Sequence, residues 1–66
     1  MSETFRCGAT AIRETEKALL VRLETGDELW VPKSQIHADS EVYDAGEHAD
    51  GELVIAEWFA RKERLL

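Results

Sequence analysis

The sequence has little of what builds disulfides, membrane spans and chain breaks. It contains one cysteine, one proline and four glycines in 66 residues. A single cysteine cannot form an internal disulfide, which is typical of proteins in the reducing cytoplasm. No apolar run approaches the roughly 20 residues that span a bilayer, and no signal peptide is visible in the first ten positions. We therefore expect a small cytoplasmic protein that does not enter membranes.

The chain is also short, which limits what it can enclose. A single domain of this size buries roughly 60% of the surface that its unfolded chain exposes. Its 44% hydrophobic and 33% charged residues are ordinary for a folded domain and disfavour disorder. Because little volume remains for a cofactor cleft or an active site, we expect one domain, no cofactor and no catalytic residues.

Metal-binding and nucleophilic side chains are few and poorly spaced. Cys7, His37 and His48 form neither a C-x-x-C nor an H-x-x-x-H pattern, whereas a structural zinc site takes four ligands. Arg6 adjoins Cys7, but neighbours on a strand point to opposite faces, so we expect a buried and inert thiol. The sequence predicts no metal site.

Basic residues are missing from the middle of the chain. The formal net charge is −6, from 14 acids and 8 bases, and positions 34–60 hold seven acids and no lysine or arginine. Such a surface repels phosphates and suits a protein partner with a basic surface. The simpler alternative is a solvated loop that keeps the protein soluble. The candidate partner-binding residues are Asp39, Glu41, Asp44, Glu47, Asp50 and Glu52.

The clearest local pattern is a β-hairpin over positions 17–32. Two apolar runs flank Gly26-Asp27, and glycine accepts a positive φ at the first position of a two-residue turn. This turn pairs Leu23 with Trp30. It predicts one face that combines these two residues with Leu19 and Val21, and so a buried Trp30. The opposite face would carry Ala18, Leu20, Arg22, Leu29, Val31 and Lys33.

The same region permits a second interpretation. Residues 14–23 are rich in helix formers, and Ile12, Leu19 and Leu23 share a helical stripe. A helix over residues 10–23 would give an α+β arrangement. We favour strands, because residues 29–31 need a partner strand beyond the turn.

The remaining segments complete a mainly β fold. We expect an edge strand over residues 9–13, a turn or 3₁₀ step after Pro32, a short strand over residues 41–43 and another over 53–55. A closing helix over residues 57–66 has Glu57 at its start and three bases near its end. Its apolar residues would fasten it over one opening of the barrel, with Trp58 as the anchor beside Phe59, Leu65 and Leu66. The sum is a bent five-stranded sheet or a partly open SH3- or OB-like barrel.

Basic side chains on the hairpin support an alternative function. Small five-stranded barrels bind single strands by stacking bases on aromatic rings beside lysine and arginine. Lys17, Arg22 and Lys33 are the candidates here, with Trp30 and Tyr43 as the rings. Few bases against many acids make direct nucleic-acid binding the weaker alternative. A homodimer is a further alternative, because small sheets hide their edges in this way.

Three motifs resemble those of small phage and prophage accessory proteins. They are K-A-x-L-V at positions 17–21, W-x-P-K-S-Q-I at 30–36 and E-W-x-A at 57–60. The resemblance extends from about Ala9 to Leu66, and the second motif is its most specific part. It implies a setting on mobile elements, where such proteins include inhibitors of host defence, rather than a mechanism. Together with the acidic middle, it predicts a non-enzymatic protein-binding module, in its sharpest form an acidic inhibitor that imitates nucleic acid.

Overall fold

A computed structural model describes residues 3–65 as one antiparallel sheet followed by a helix. The sheet has the order β3-β2-β1-β4 and is open. Its elements in chain order are β1 (Thr4–Glu14), β2 (Ala18–Leu23), β3 (Glu28–Pro32), the 3₁₀ turn η1 (Lys33–Gln35), β4 (Asp50–Ala56) and α1 (Glu57–Lys62). This confirms a small, mainly β fold with a C-terminal helix. The last position of the predicted helix, Leu66, lies outside the described residues.

Several of the sequence-based interpretations are corrected by these elements. The strand over residues 9–13, predicted at an edge, belongs to the interior strand β1, between β2 and β4. The helix proposed as an alternative over residues 10–23 is wrong, because β1 and β2 pair there as antiparallel strands. β1 has a bulge at Ile12. In the turn that joins β1 to β2, the Ala18 amide donates to the Thr15 hydroxyl (3.0 Å). The segment 41–43 is irregular, and the described sheet has four strands without closing into a barrel.

The β2–β3 hairpin forms as predicted, but its register differs by three residues. Trp30 pairs with Leu20, and Leu29 with Val21. The Gly26 amide donates to the Leu23 carbonyl (2.9 Å), and Gly26 has a φ of 95°. These are features of a three-residue loop with a glycine bulge, in place of the predicted two-residue turn. An odd shift turns every side chain of a strand to its other face, so Trp30 points away from the core.

The core lies between one face of the sheet and α1. Burial alternates along β2, as the two-residue period requires, whereas β4 is buried at three consecutive residues, Leu53, Val54 and Ile55, because the segment 36–43 covers its edge. Trp30 and Trp58 are 47% and 56% exposed, so the expectations that they anchor the core are wrong; from α1, Phe59 and Ala60 fill that place. The cluster consists of Ala9, Ala11, Leu19, Val21, Leu23, Val31, Val42, Leu53, Ile55, Phe59 and Ala60. None of the helices in residues 3–65 has the length and apolar content to cross a membrane.

An irregular segment, residues 36–43, covers the outer edge of β4. The His37 amide donates to the Val54 carbonyl (2.8 Å), and the Glu41 amide to the Glu52 carbonyl (2.8 Å). Between them, the buried Ser40 hydroxyl accepts from the Val54 amide (3.1 Å) and donates to the Val42 carbonyl (2.8 Å). The segment therefore provides hydrogen-bond partners for the backbone amides and carbonyls at the edge of β4 without forming a strand.

Candidate protein-binding surface

Four of the six predicted carboxylates gather at β4. Asp50 and Glu52 point to the sheet face opposite the core, since Leu53 and Ile55 point inward. Arg6 on the neighbouring strand contacts Glu52 at 2.9 Å. The same guanidinium lies 3.9 Å from Asp39, so it links the covering segment to the sheet.

Glu41 reaches the same place through a glycine. Its carboxylate accepts a hydrogen bond from the Glu52 backbone amide (2.8 Å). A Cβ added to Gly51 would lie 2.8 Å from Glu41 Oε1, and Gly51 has a φ of 139°. Gly51 therefore provides both the backbone conformation and the space that this carboxylate needs.

A fifth carboxylate, Glu24, was not predicted. A Cβ on Gly8 would lie 2.1 Å from Glu24 Oε1, which places this carboxylate directly over the Gly8 backbone. Gly8 pairs with Glu52 in the β1–β4 ladder, so Glu24 and Glu52 face the same part of the sheet. The position of Glu24 depends on its approach to a glycine distant in the sequence, which the sequence alone does not show. The one signal available in the sequence is a glycine inside a strand.

These residues line a shallow groove of about 770 Å³, which we call the acidic groove. Its charged lining consists of Glu24, Asp50 and Glu52, with Arg6 and Arg22. Thr10 donates its hydroxyl hydrogen bond to Asp50 at 2.7 Å, and Asp39 and Glu41 contact Arg6 and the Glu52 amide at its side. The groove thus holds more carboxylates than cations.

The negative charge of the groove also affects the pKa of the nearby Cys7 thiol. Burial raises the pKa of the Cys7 thiol, and the negative charges of Glu24 and Glu52 raise it further. The thiolate is the nucleophilic form of cysteine. These charges disfavour the thiolate of Cys7, whose half-buried side chain lies on the core face of β1, where Cys7 pairs with Leu53.

The two other predicted carboxylates lie in the loop after the covering segment. Asp44 accepts hydrogen bonds from the backbone amides of Gly46 (2.8 Å) and His48 (3.0 Å), which lower its pKa. The His48 ring stacks on Tyr43 at 4.4 Å. Glu47 makes no hydrogen bond or ion pair within residues 3–65. Asp44 thus makes its hydrogen bonds within its own loop, and it does not lie with the four carboxylates at β4.

The three cations of the nucleic-acid alternative are not gathered into one site. Lys33 pairs with Glu14, which also accepts from the Ala45 amide (3.2 Å). Arg22 pairs with Glu28 at 2.9 Å near the other end of the hairpin. Within residues 3–65, Lys17 takes part in no ion pair. The hydrogen bond from Lys33 and the Ala45 amide together lower the pKa of Glu14.

No three histidine, cysteine, aspartate or glutamate side chains among residues 3–65 are arranged to hold a metal ion. No family model, curated protein or solved structure matches the chain. The geometry of the acidic groove and the chemistry of its residues are therefore the basis for a function.

Proposed function

We propose that the protein is a non-enzymatic binding module whose acidic groove binds a basic surface of a protein partner. The observation that carries this is the local surplus of carboxylates. Among the described residues, Arg6 is the only lysine or arginine in an ion pair with Asp39, Glu41, Asp50 or Glu52. Glu41 and Asp50 instead accept neutral hydrogen bonds, so their negative charge remains available to a partner.

The groove is built to hold its charges in place. Asp50 and Glu52 stand two residues apart on one face of a strand, roughly 6.6 Å along its axis. Glu41 is fixed by a backbone amide, and Glu52 by Arg6. Carboxylates held in this way lose less conformational entropy on binding than free side chains do. A basic partner would be steered to them by long-range attraction.

In its sharper form, the proposal is an acidic inhibitor that imitates nucleic acid. The acidic groove then occupies a basic channel in a host complex that handles nucleic acid, in the phage setting that the three motifs imply. An arginine-rich peptide bound to a labelled DNA duplex provides a test. We expect the protein to release the duplex from the peptide. Equal release by a variant with Glu41→Gln, Asp50→Asn and Glu52→Gln would contradict the imitation of nucleic acid.

The direct test compares two variants with equal changes in charge. The groove variant carries Glu41→Gln, Asp50→Asn and Glu52→Gln. The control carries Glu3→Gln, Glu16→Gln and Glu63→Gln, whose exposed side chains form no hydrogen bond or ion pair within residues 3–65. Binding of a fluorescein-labelled nona-arginine peptide is measured by anisotropy at low salt, where screening is weak.

We expect the groove variant to lose on the order of tenfold in affinity for the peptide and the control to lose much less. Binding should weaken as salt rises. Equal losses in both variants would show that net charge alone drives the binding, and would overturn the proposal. Circular dichroism of each variant verifies that the fold is unchanged.

The nucleic-acid alternative is tested with the same instrument. The exposed rings of Trp30 and Tyr43, each 47% exposed, favour it, and the pairing of Arg22 and Lys33 with acids opposes it. Titration of labelled single-stranded and double-stranded oligonucleotides should give no saturable binding. Saturable binding that Arg22→Ala and Lys33→Ala abolish would replace our proposal with this alternative.

A further inference from the structure

Among residues 3–65, the outer edge of β3 has no partner strand. β3 is the last strand in the sheet order, and within the same residues no backbone hydrogen bond outside the β2–β3 ladder involves positions 28–32. The Lys33 amide donates to the Lys17 carbonyl, and the Leu23 amide to the Asp27 carbonyl, both at 2.8 Å. The odd-numbered residues of the hairpin are therefore its hydrogen-bonded pairs. The backbone groups of Glu28, Trp30 and Pro32 therefore point outward.

This edge is neither covered nor strongly protected. Proteins commonly blunt an edge strand with proline, charge or a covering segment. The edge of β4 is covered by residues 36–43, whereas β3 has Pro32, which removes one donor at its end, and the ion-paired Glu28 at its start. Trp30, in the middle of the edge, is 47% exposed, and its neighbour Leu29 is half-buried. The exposed surface is thus apolar at its centre.

We infer that a second copy of the chain binds this edge. The two β3 strands pair antiparallel about a twofold axis at Trp30 and join the two sheets into one. In this register the two Trp30 residues exchange both backbone hydrogen bonds, and each Glu28 amide donates to the opposite Pro32 carbonyl. The missing amide of Pro32 leaves only the Glu28 carbonyl without a partner.

The side chains select this register over its neighbour. Pairing about Trp30 places Asp27 of each copy opposite Lys33 of the other, which gives two pairs of opposite charge, and it places the two indole rings side by side. Pairing about Leu29 would also form four backbone bonds, but it sets Glu28 opposite Trp30. The edge is therefore complementary to itself in charge as well as in backbone hydrogen bonding.

The dimer leaves the acidic groove free. The groove lies mainly on β1 and β4, the far side of the sheet from β3, and the rest of its lining, Arg22, Leu23 and Glu24, comes from the end of β2 and the turn after it. Each dimer would present two acidic grooves, one at each end of the joined sheet. The dimer does not depend on the proposed function, and either inference can fail without the other.

Sedimentation equilibrium of the full chain over a wide concentration range tests the dimer. Trp30→Ser is compared with Trp58→Ser, which removes a similarly exposed tryptophan from α1. We expect the wild type and Trp58→Ser to dimerise, and Trp30→Ser to dissociate on the order of tenfold more readily. A monomeric wild type at all concentrations would overturn the proposal and leave the edge to a strand of another protein.

Charge exchange tests the register. Asp27→Lys alone sets two lysines against each other at both ends of the interface, as Lys33→Asp sets two aspartates. Glu14→Gln accompanies Lys33→Asp, because Glu14 contacts Lys33 within the chain. We expect each variant alone to be monomeric and an equal mixture to form a heterodimer. A dimer that neither substitution weakens would overturn this interface.

Discussion

Gly51 and Gly8 each lie beneath a carboxylate, but they differ in how much a side chain would cost. Gly51 has a φ of 139°, and an added Cβ would lie 3.1 Å from Glu41 Cβ. Gly8 has an ordinary φ, and the obstacle there is the flexible end of Glu24. We expect Gly51→Ala to lower the free energy of unfolding by about 1–3 kcal/mol through backbone strain.

Gly8→Ala is the matched comparison, because Glu24 can swing away from the new methyl group. We expect it to change the free energy of unfolding by less than about 0.5 kcal/mol. Urea denaturation of both variants provides the measurement. Equal destabilisation by the two substitutions would contradict the assigned role of the Gly51 conformation.

The carboxyls of Glu14 and Asp44 link stability to pH. Hydrogen bonds to the Lys33 ammonium and to the Ala45 amide lower the pKa of Glu14, and the amides of His48 and Gly46 lower that of Asp44. A lowered pKa in the folded state stabilises the fold above the unfolded pKa, and this stability is lost as pH falls through the folded pKa. We therefore expect the free energy of unfolding to decrease as the pH is lowered below about 4.5.

Substitution identifies these groups as the source of the pH dependence. Glu14→Gln and Asp44→Asn should each flatten the loss of stability in acid, as followed by thermal unfolding between about pH 2 and pH 6. Glu16→Gln is the control, because its exposed side chain makes no such hydrogen bonds within residues 3–65. An unchanged acid profile in both test variants would refute the assignment.

At the scale of elements, Ser40 replaces part of a strand. Its buried hydroxyl accepts from the amide of Val54 at the edge of β4 (3.1 Å) and from the amide of Val42 in the covering segment (3.2 Å). Ser40→Ala leaves these buried amides without an acceptor, and we expect a loss of about 1–3 kcal/mol in the free energy of unfolding. Ser34→Ala, at an exposed position in η1, should cost little; a neutral Ser40→Ala would contradict this role.

The hairpin shows how far the sequence predicts an element. Apolar runs on either side of a glycine were enough to locate β2 and β3. They did not determine the loop length, which depends on the hydrogen bond from Gly26 to Leu23. Because the register moved by an odd number of residues, Trp30 changed from an expected core residue to an exposed one.

The candidate site was predictable only in part, because it combines distant segments. The carboxylates could be counted in the sequence, and their surplus over positions 34–60 was plain. Their gathering depends on the pairing of β1 with β4, which brings together Arg6 and Glu52, 46 positions apart. Glu24 joins them through Gly8. Asp44, by contrast, is used within its own loop, which no count of charges reveals.

In the molecule as a whole, the two lateral edges of one sheet have different proposed tasks. The β4 side carries the acidic groove, and the β3 side carries a free, self-complementary edge. Binding of a basic partner at the acidic groove is tested by mapping the affected residues one by one. Backbone amide chemical shifts are recorded by NMR during titration with the nona-arginine peptide.

We predict that the largest shift changes cluster around the acidic groove, at Gly8, Asp50, Gly51 and Glu52, and that they vanish in the groove variant but persist in the control. Changes centred on Trp30, or spread evenly over all exposed carboxylates, would contradict the claim that this groove is the binding surface.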